Sequence, residues 1–213
     1  MPANPGQQKK REKHKKKREA VVRQHPTRHP ELDLSPAAIL RQAALLPAGP
    51  SFISGDWKLQ DEVQPRLVSV VVTRKAPAGL VIAALVLVDR TCLGVKNAFV
   101  AKPMREAELE SFLAQVGQAH EVGMVECDLL VAQSVVLHAV DYARSLGFAP
   151  HRDFPEPLFT PRPAELLDTP LARPLRPVYV SGPADPVSRV LARLDAAVGT
   201  GNYDVMAALA GAR

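Results

Sequence analysis

Leu67–Val100, LVSVVVTRKAPAGLVIAALVLVDRTCLGVKNAFV, is the stretch whose reading decides the fold. Two apolar runs, Arg66 to Thr73 and Leu80 to Asp89, flank Arg74-Lys75-Ala76-Pro77-Ala78-Gly79, a connection of hairpin length made of turn residues. Val, Ile and Leu dominate both runs, as suits extended backbone packed on its neighbours. Neither run alternates strictly between apolar and polar residues. That predicts strands buried on both faces for part of their length. Beyond the second run the chain turns polar, Asp89-Arg90-Thr91-Cys92-Leu93-Gly94-Val95-Lys96-Asn97, and reads as a strand-ending turn with Gly94 at positive φ.

The downstream segments read as cover for such a sheet. Glu106 to Ala119 carries Ala107, Phe112, Leu113 and Val116 near one side of a helix. Asp128 to Leu146 is the clearest helix: Leu129, Ala132, Val136, Ala139, Val140 and Ala143 follow its period. Asp128 suits its N-cap, Gly147 its C′ position, and Phe148 the apolar contact after it. Eight prolines between Pro150 and Pro177 then predict a surface excursion. Val178-Tyr179-Val180 reads as a short strand and Asp185 to Val198 as a helix capped by Asp185. Gly199, Gly201 and Asn202 stop that helix, and a short strand or loose end follows from Tyr203. Upstream, Ser51 to Gln60 reads as a strand or arm with Trp57 packed on the body. Before it lies a short helix, Ala37 to Leu46, with Ser35 as N-cap and Pro36 at its first position. The expected class is α+β: an antiparallel sheet with a central hairpin, covered by two or three helices and preceded by a disordered basic tail. Residues 1–31 make the tail and linker, 32–205 one domain, and 206–213 a loose end.

Charge divides the same way. Residues 1–30 hold ten Lys and Arg against Glu12 and Glu19, a balance of +8; the whole chain is +5, which leaves −3 for the rest. The run Lys9, Lys10, Arg11, Lys13, Lys15, Lys16, Lys17 and Arg18 has no apolar face, so alone it cannot offset its ordering entropy. On a polyanion it gains affinity by releasing condensed counterions. A solubilising tail and a nuclear-localisation pattern are the blander readings. Acidic lipid is disfavoured, because the run has neither acylation signal nor aromatic wedge. The expected partner is nucleic acid, RNA ahead of DNA, and not a membrane. No apolar run approaches the roughly 20 residues of a bilayer span, and no apolar leader core follows the basic start, which points to the cytoplasm.

Chemistry is less legible. The turn offers Asp89, Cys92 and Lys96, with His138 or His151 as a base from elsewhere. A strand-end carboxylate beside an amine and a thiol is material for an active site, and a nearby ammonium lowers a thiol's pKa. The competing reading makes Asp89 a local hydrogen-bond acceptor, His138 a boundary histidine and Cys92 and Cys127 inert buried thiols. His151 and Asp153 lie in a loop just past a helix end. The chain holds no HExxH or CxxC pattern and no phosphate-loop glycine signature, so neither metal nor cofactor is expected.

Two resemblances add to this. Tyr142-Ala143-Arg144-Ser145-Leu146-Gly147-Phe148 resembles the helix-to-strand segment of GCN5-related acetyltransferases, which implies acyl transfer; that family's pyrophosphate loop has no counterpart in this chain. More broadly, Val88 to Phe99 (VDRTCLGVKNAF), Tyr142 to Phe154 (YARSLGFAPHRDF), Tyr179 to Pro183 (YVSGP) and Gly201-Asn202-Tyr203 resemble a bacterial family that is itself uncharacterised. That likeness implies one folded unit over roughly residues 55–205, with the basic tail as an addition. The leading expectation is a non-catalytic protein associated with nucleic acid or the ribosome. The alternative is a hydrolase- or acyltransferase-like enzyme, and a third possibility is an interaction module using residues 150–177. Oligomeric state stays open.

Overall fold

A computed structural model describes residues 36–58, 67–159, 164–169, 174–182 and 185–207, all within one compact unit. The tail, with its eight cations from Lys9 to Arg18, the expected cap Ser35 and residues 208–213 lie outside the described residues. The chain runs α1 (Pro36–Ala43), β1 (Ala48–Ser54), β2 (Leu67–Lys75), β3 (Val81–Asp89), β4 (Gly94–Val100), α2 (Glu106–Gly117), β5 (Met124–Cys127), α3 (Leu129–Ser145), β6 (Val178–Ser181), α4 (Val187–Val198) and β7 (Asp204–Ala207). Five strands form an antiparallel sheet in the order β4-β3-β2-β1-β5, and the fold is α+β.

The central hairpin is β2 and β3, paired without interruption from Leu67 opposite Asp89 to Lys75 opposite Val81. Its lack of alternation has a plain cause, since both faces are covered. Val68, Val70 and Val72 of β2, with Ala84, Val86 and Val88 of β3, pack against Ala132, Val136 and Val140 of α3. On the other face, Val71 and Ala83 meet Leu109, Phe112 and Leu113 of α2. Each such Val contributes roughly 1.5–3 kcal/mol relative to exposure, which is enough to hold a register with no polar face to guide it.

Three features differ from the sequence reading. The stretch after Asp89 is more than a turn: Thr91 to Leu93 reverse the chain, and Gly94 onward forms β4. Along β4 the pairing passes from Leu87 opposite Asn97 to Val88 opposite Val95, so Lys96 is the extra residue of a β-bulge. The bulge lets Val95 and Ala98, three apart, both reach the α3 core. The proline-rich segment is also not all surface. A 3₁₀ turn at Glu156–Phe159 buries Leu158 and Phe159 in the main core, and the Arg74 guanidinium donates 2.6 Å to the Leu158 carbonyl. Leu167 and Leu175 nearby are exposed.

The third feature is a second sheet. β6 and β7 pair in parallel, Val178 opposite Asp204 through Ser181 opposite Ala207, with α4 as the crossover that parallel neighbours need. Tyr179, Val190 and Leu194 of this layer pack on Cys92 and Leu146. Among the described residues, no helix is long and apolar enough to cross a membrane.

Candidate functional site

The turn from β3 to β4 is buried by this second layer. Asp89 Oδ1 accepts hydrogen bonds from the Thr91 amide at 3.0 Å and the Cys92 amide at 3.0 Å, and the Thr91 hydroxyl lies 3.1 Å away. That hydroxyl is also 2.9 Å from the Val178 carbonyl, so its single proton serves one acceptor or the other. The Thr91 carbonyl in turn accepts from the Val178 amide at 3.1 Å. One polar turn thus ties β3 to β6. Burial pushes the Asp89 carboxyl above the usual carboxylate range, against the pull of the Thr91 hydrogen bonds and the Lys96 charge. Asp89 Oδ2 has no hydrogen-bond partner among the described residues.

Neighbouring side chains follow from that burial. The Arg90 guanidinium donates to the Trp57 carbonyl at 3.0 Å and lies 5.9 Å from the centre of the Trp57 ring. Burial brings its pKa down to about 10. Cys92 is fully buried; desolvation, then the Asp89 charge, pushes its thiol up, and the opposing Lys96 contribution is outweighed. The expected lowering by Lys96 is therefore not the net direction. Cys92 is a neutral packing group. Cys127, partly buried, is pushed up to about 11 by burial and by Asp128 and Glu126.

Lys96 is swung by the bulge toward the second layer. Its Nζ donates to Asp185 Oδ2 at 2.7 Å and to the Val180 carbonyl at 3.2 Å. The same carboxylate oxygen accepts from the Gly182 amide at 2.7 Å and from the Tyr179 hydroxyl at 3.2 Å. Burial alone would raise the Asp185 carboxyl, but these donors and the Lys96 charge together hold it below the usual range. Tyr179 is pushed up to about 12 by burial and by that carboxylate. Asp185 does not cap α4 as its position in the sequence predicts; its side chain takes the Gly182 amide and Lys96.

Asp89, Cys92 and Lys96 are thus one cluster, joined by Tyr179 and Asp185. The two histidines are engaged elsewhere. His138 Nε2 donates to the Leu167 carbonyl at 3.0 Å. The His151 amide donates to the Val95 carbonyl at 2.9 Å, and its ring Nδ1 accepts from the Asp153 amide at 3.3 Å. The cluster does the work of a latch between two layers. Sequence reading missed Tyr179 and Asp185, because the pairing spans 89 positions from Lys96 and is set by tertiary contact. It also missed Ser69, His120 and Asp56, which gather where α2 ends over the sheet. No family model, curated protein or solved structure matches the chain. Fold and site together define an α+β protein whose small parallel layer is fastened to the main sheet by a Lys–Asp pair.

Proposed function

We propose that the chain is a cytoplasmic nucleic-acid-associated protein that binds RNA ahead of DNA, or the ribosome, through Lys9, Lys10, Arg11, Lys13, Lys15, Lys16, Lys17 and Arg18. The carrying observation is the partition of charge, +8 over residues 1–30 against −3 over the remainder. A net-negative body gives a polyanion no reason to settle there, so the grip falls to the cationic run, and it needs no chemistry there. The alternative, an enzyme acting through Asp89, Cys92 and Lys96 with His138 or His151, draws less support. The carboxylate and thiol are buried, the ammonium is held by Asp185, and both imidazoles serve other partners.

The test compares the full chain with a variant lacking residues 1–24. The full chain, purified at low salt, is expected to carry nucleic acid, seen as a raised absorbance ratio at 260 to 280 nm, and to bind a short RNA in filter assays. The truncated variant loses both. Undiminished binding by the truncated variant would refute the reading.

A further inference from the structure

The α2 face of the sheet holds a polar group of different character. β2 sends Val68, Val70 and Val72 to the α3 side and Val71 to the α2 side, and Ser69, between Val68 and Val70 in sequence, is a buried polar residue on the α2 side. α2 ends at Gly117, and the turn after it brings His120 over that strand; the His120 amide donates to the Gly117 carbonyl at 3.0 Å. The same turn is pinned to the end of β1 by a 2.8 Å hydrogen bond from the Gly55 amide to the Gly123 carbonyl. Asp56 follows Gly55 directly, so the pin sets it opposite the imidazole. His120 Nε2 lies 2.8 Å from Ser69 Oγ, and its Nδ1 lies 3.7 Å from Asp56 Oδ1.

These three side chains open onto a pocket of about 450 Å³, walled by Leu67, Leu87 and Ala119, with Glu121 at its edge. We propose that Ser69, His120 and Asp56 form a nucleophile, base and orienter for hydrolysis of small neutral or cationic carboxylic esters. The size and largely apolar walls fit a short acyl group, and Asp56 and Glu121 disfavour an anionic one. With Nδ1–H turned to Asp56, Nε2 accepts the Ser69 hydroxyl proton. The 3.7 Å separation is longer than a hydrogen bond, and catalytic contacts of this kind often tighten only with substrate in place. Burial lowers the His120 pKa while Asp56 opposes that shift, which leaves the ring a neutral base at physiological pH.

In the first half-reaction Ser69 Oγ bonds to the ester carbonyl carbon as its proton passes to His120 Nε2. The carbon–alkoxide bond then breaks, and the alkoxide takes that proton from His120. In the second, water gives a proton to His120 and its oxygen bonds to the acyl carbon. The Ser69 ester bond breaks, the serine regains its proton, and a carboxylic acid leaves. Asp56 is a positioning residue. It touches the imidazole, not the substrate.

The experiment uses the full chain, p-nitrophenyl acetate and butyrate as substrates, and a fluorophosphonate, from which a serine nucleophile displaces fluoride. Peptide mapping is expected to find the adduct on Ser69, and Ser69→Ala, which removes one oxygen, to abolish both adduct and turnover. His120→Gln is expected to slow labelling about 100-fold, the low end for loss of a general base. In the unaltered protein, labelling should follow His120 deprotonation, reaching its plateau at a pH below that of an ordinary histidine. Asp56→Asn should displace that pH profile as well as slow the rate. Ser51→Ala, a buried serine of β1 apart from the pocket, should change nothing. Absence of an adduct on Ser69 in the unaltered protein overturns the proposal, as does ester turnover that survives Ser69→Ala. Deleting residues 1–24 tests the nucleic-acid reading and the Ser69 adduct tests this one, so the two can fail separately.

Discussion

Asp89 and Asp185 both feel the Lys96 ammonium, yet their surroundings drive them apart. Asp185 gathers three donors on one oxygen and is held below the unfolded carboxylate value of about 3.9. A depressed folded pKa gives stability that is present at neutral pH and lost as pH falls through the folded value. Asp185→Asn is therefore expected to cost on the order of 2–3 kcal/mol in urea unfolding at neutral pH, the scale for losing hydrogen bonds to a charged group. The difference from the unaltered protein should shrink toward pH 3. A variant within about 0.5 kcal/mol of the unaltered chain at pH 7, the usual spread for surface changes, would remove the latch from the account. Asp89 behaves oppositely. Its folded pKa is raised by burial, so the linked stability is present below the unfolded value and lost as pH rises through the folded one. Asn keeps the Oδ1 acceptor for the Thr91 and Cys92 amides and removes the buried charge. Asp89→Asn should thus melt at or above the unaltered protein at pH 7, with its advantage shrinking by pH 4.5; a lower melting temperature at pH 7 contradicts this.

Two glycines show how the elements are joined and how differently the same residue is used. Gly147 ends α3 at φ 81°, with the Phe148 amide donating to the Ala143 carbonyl at 2.9 Å and the Gly147 amide to the Arg144 carbonyl at 2.9 Å. Among the described residues, a Cβ there would meet only Arg193 carbons at 3.6 Å, an ordinary contact. Gly147→Ala should therefore cost about 1–2 kcal/mol, the left-handed penalty alone. Gly94 opens β4 at φ 70°, and a Cβ there would stand 2.7 Å from the Ala143 Cβ and 3.0 Å from the Ala139 carbonyl oxygen. Gly94→Ala adds overpacking to the same strain and should cost about twice as much. Equal melting temperatures for the two variants would mean that β4 does not pack on α3 this closely. The first glycine was legible, since an apolar period followed by Leu-Gly-Phe announces a helix end. The second reads in sequence as part of a turn, and the turn is there. What the local pattern concealed was β4, because a bulge at Lys96 breaks the alternation by which a strand is recognised. β5 was hidden by its length, four residues, and by exposed side chains at its centre. The parallel pairing of β6 with β7 has no local signature, since its partner strand lies across a helix.

At the scale of the whole molecule, what the sequence disclosed was what neighbouring residues decide: the central hairpin, the long helix, the division of charge. The Ser69–His120–Asp56 group was not legible. Its members lie 51 and 13 positions from Ser69, each in unremarkable local sequence, and they meet because the Gly55–Gly123 hydrogen bond brings two turns together. The division of charge carries the remaining prediction. If the run from Lys9 to Arg18 supplies the binding, at most its eight cations release counterions. The slope of log affinity against log salt is then bounded at about −7 for a duplex and about −5.5 for a single strand. Glu12 and the net-negative body can only make it shallower. Filter binding of a single-stranded RNA and a duplex of equal length, over 50 to 200 mM salt, measures both slopes. Substituting Lys15, Lys16 and Lys17 together by Gln should make the single-strand slope about 2 shallower, three contacts' share, and weaken every sequence alike. A slope that stays unchanged in this triple variant would place the contact elsewhere on the chain, and a preference among sequences would mean that Arg11, Arg18 or His14 engages bases as well as phosphates.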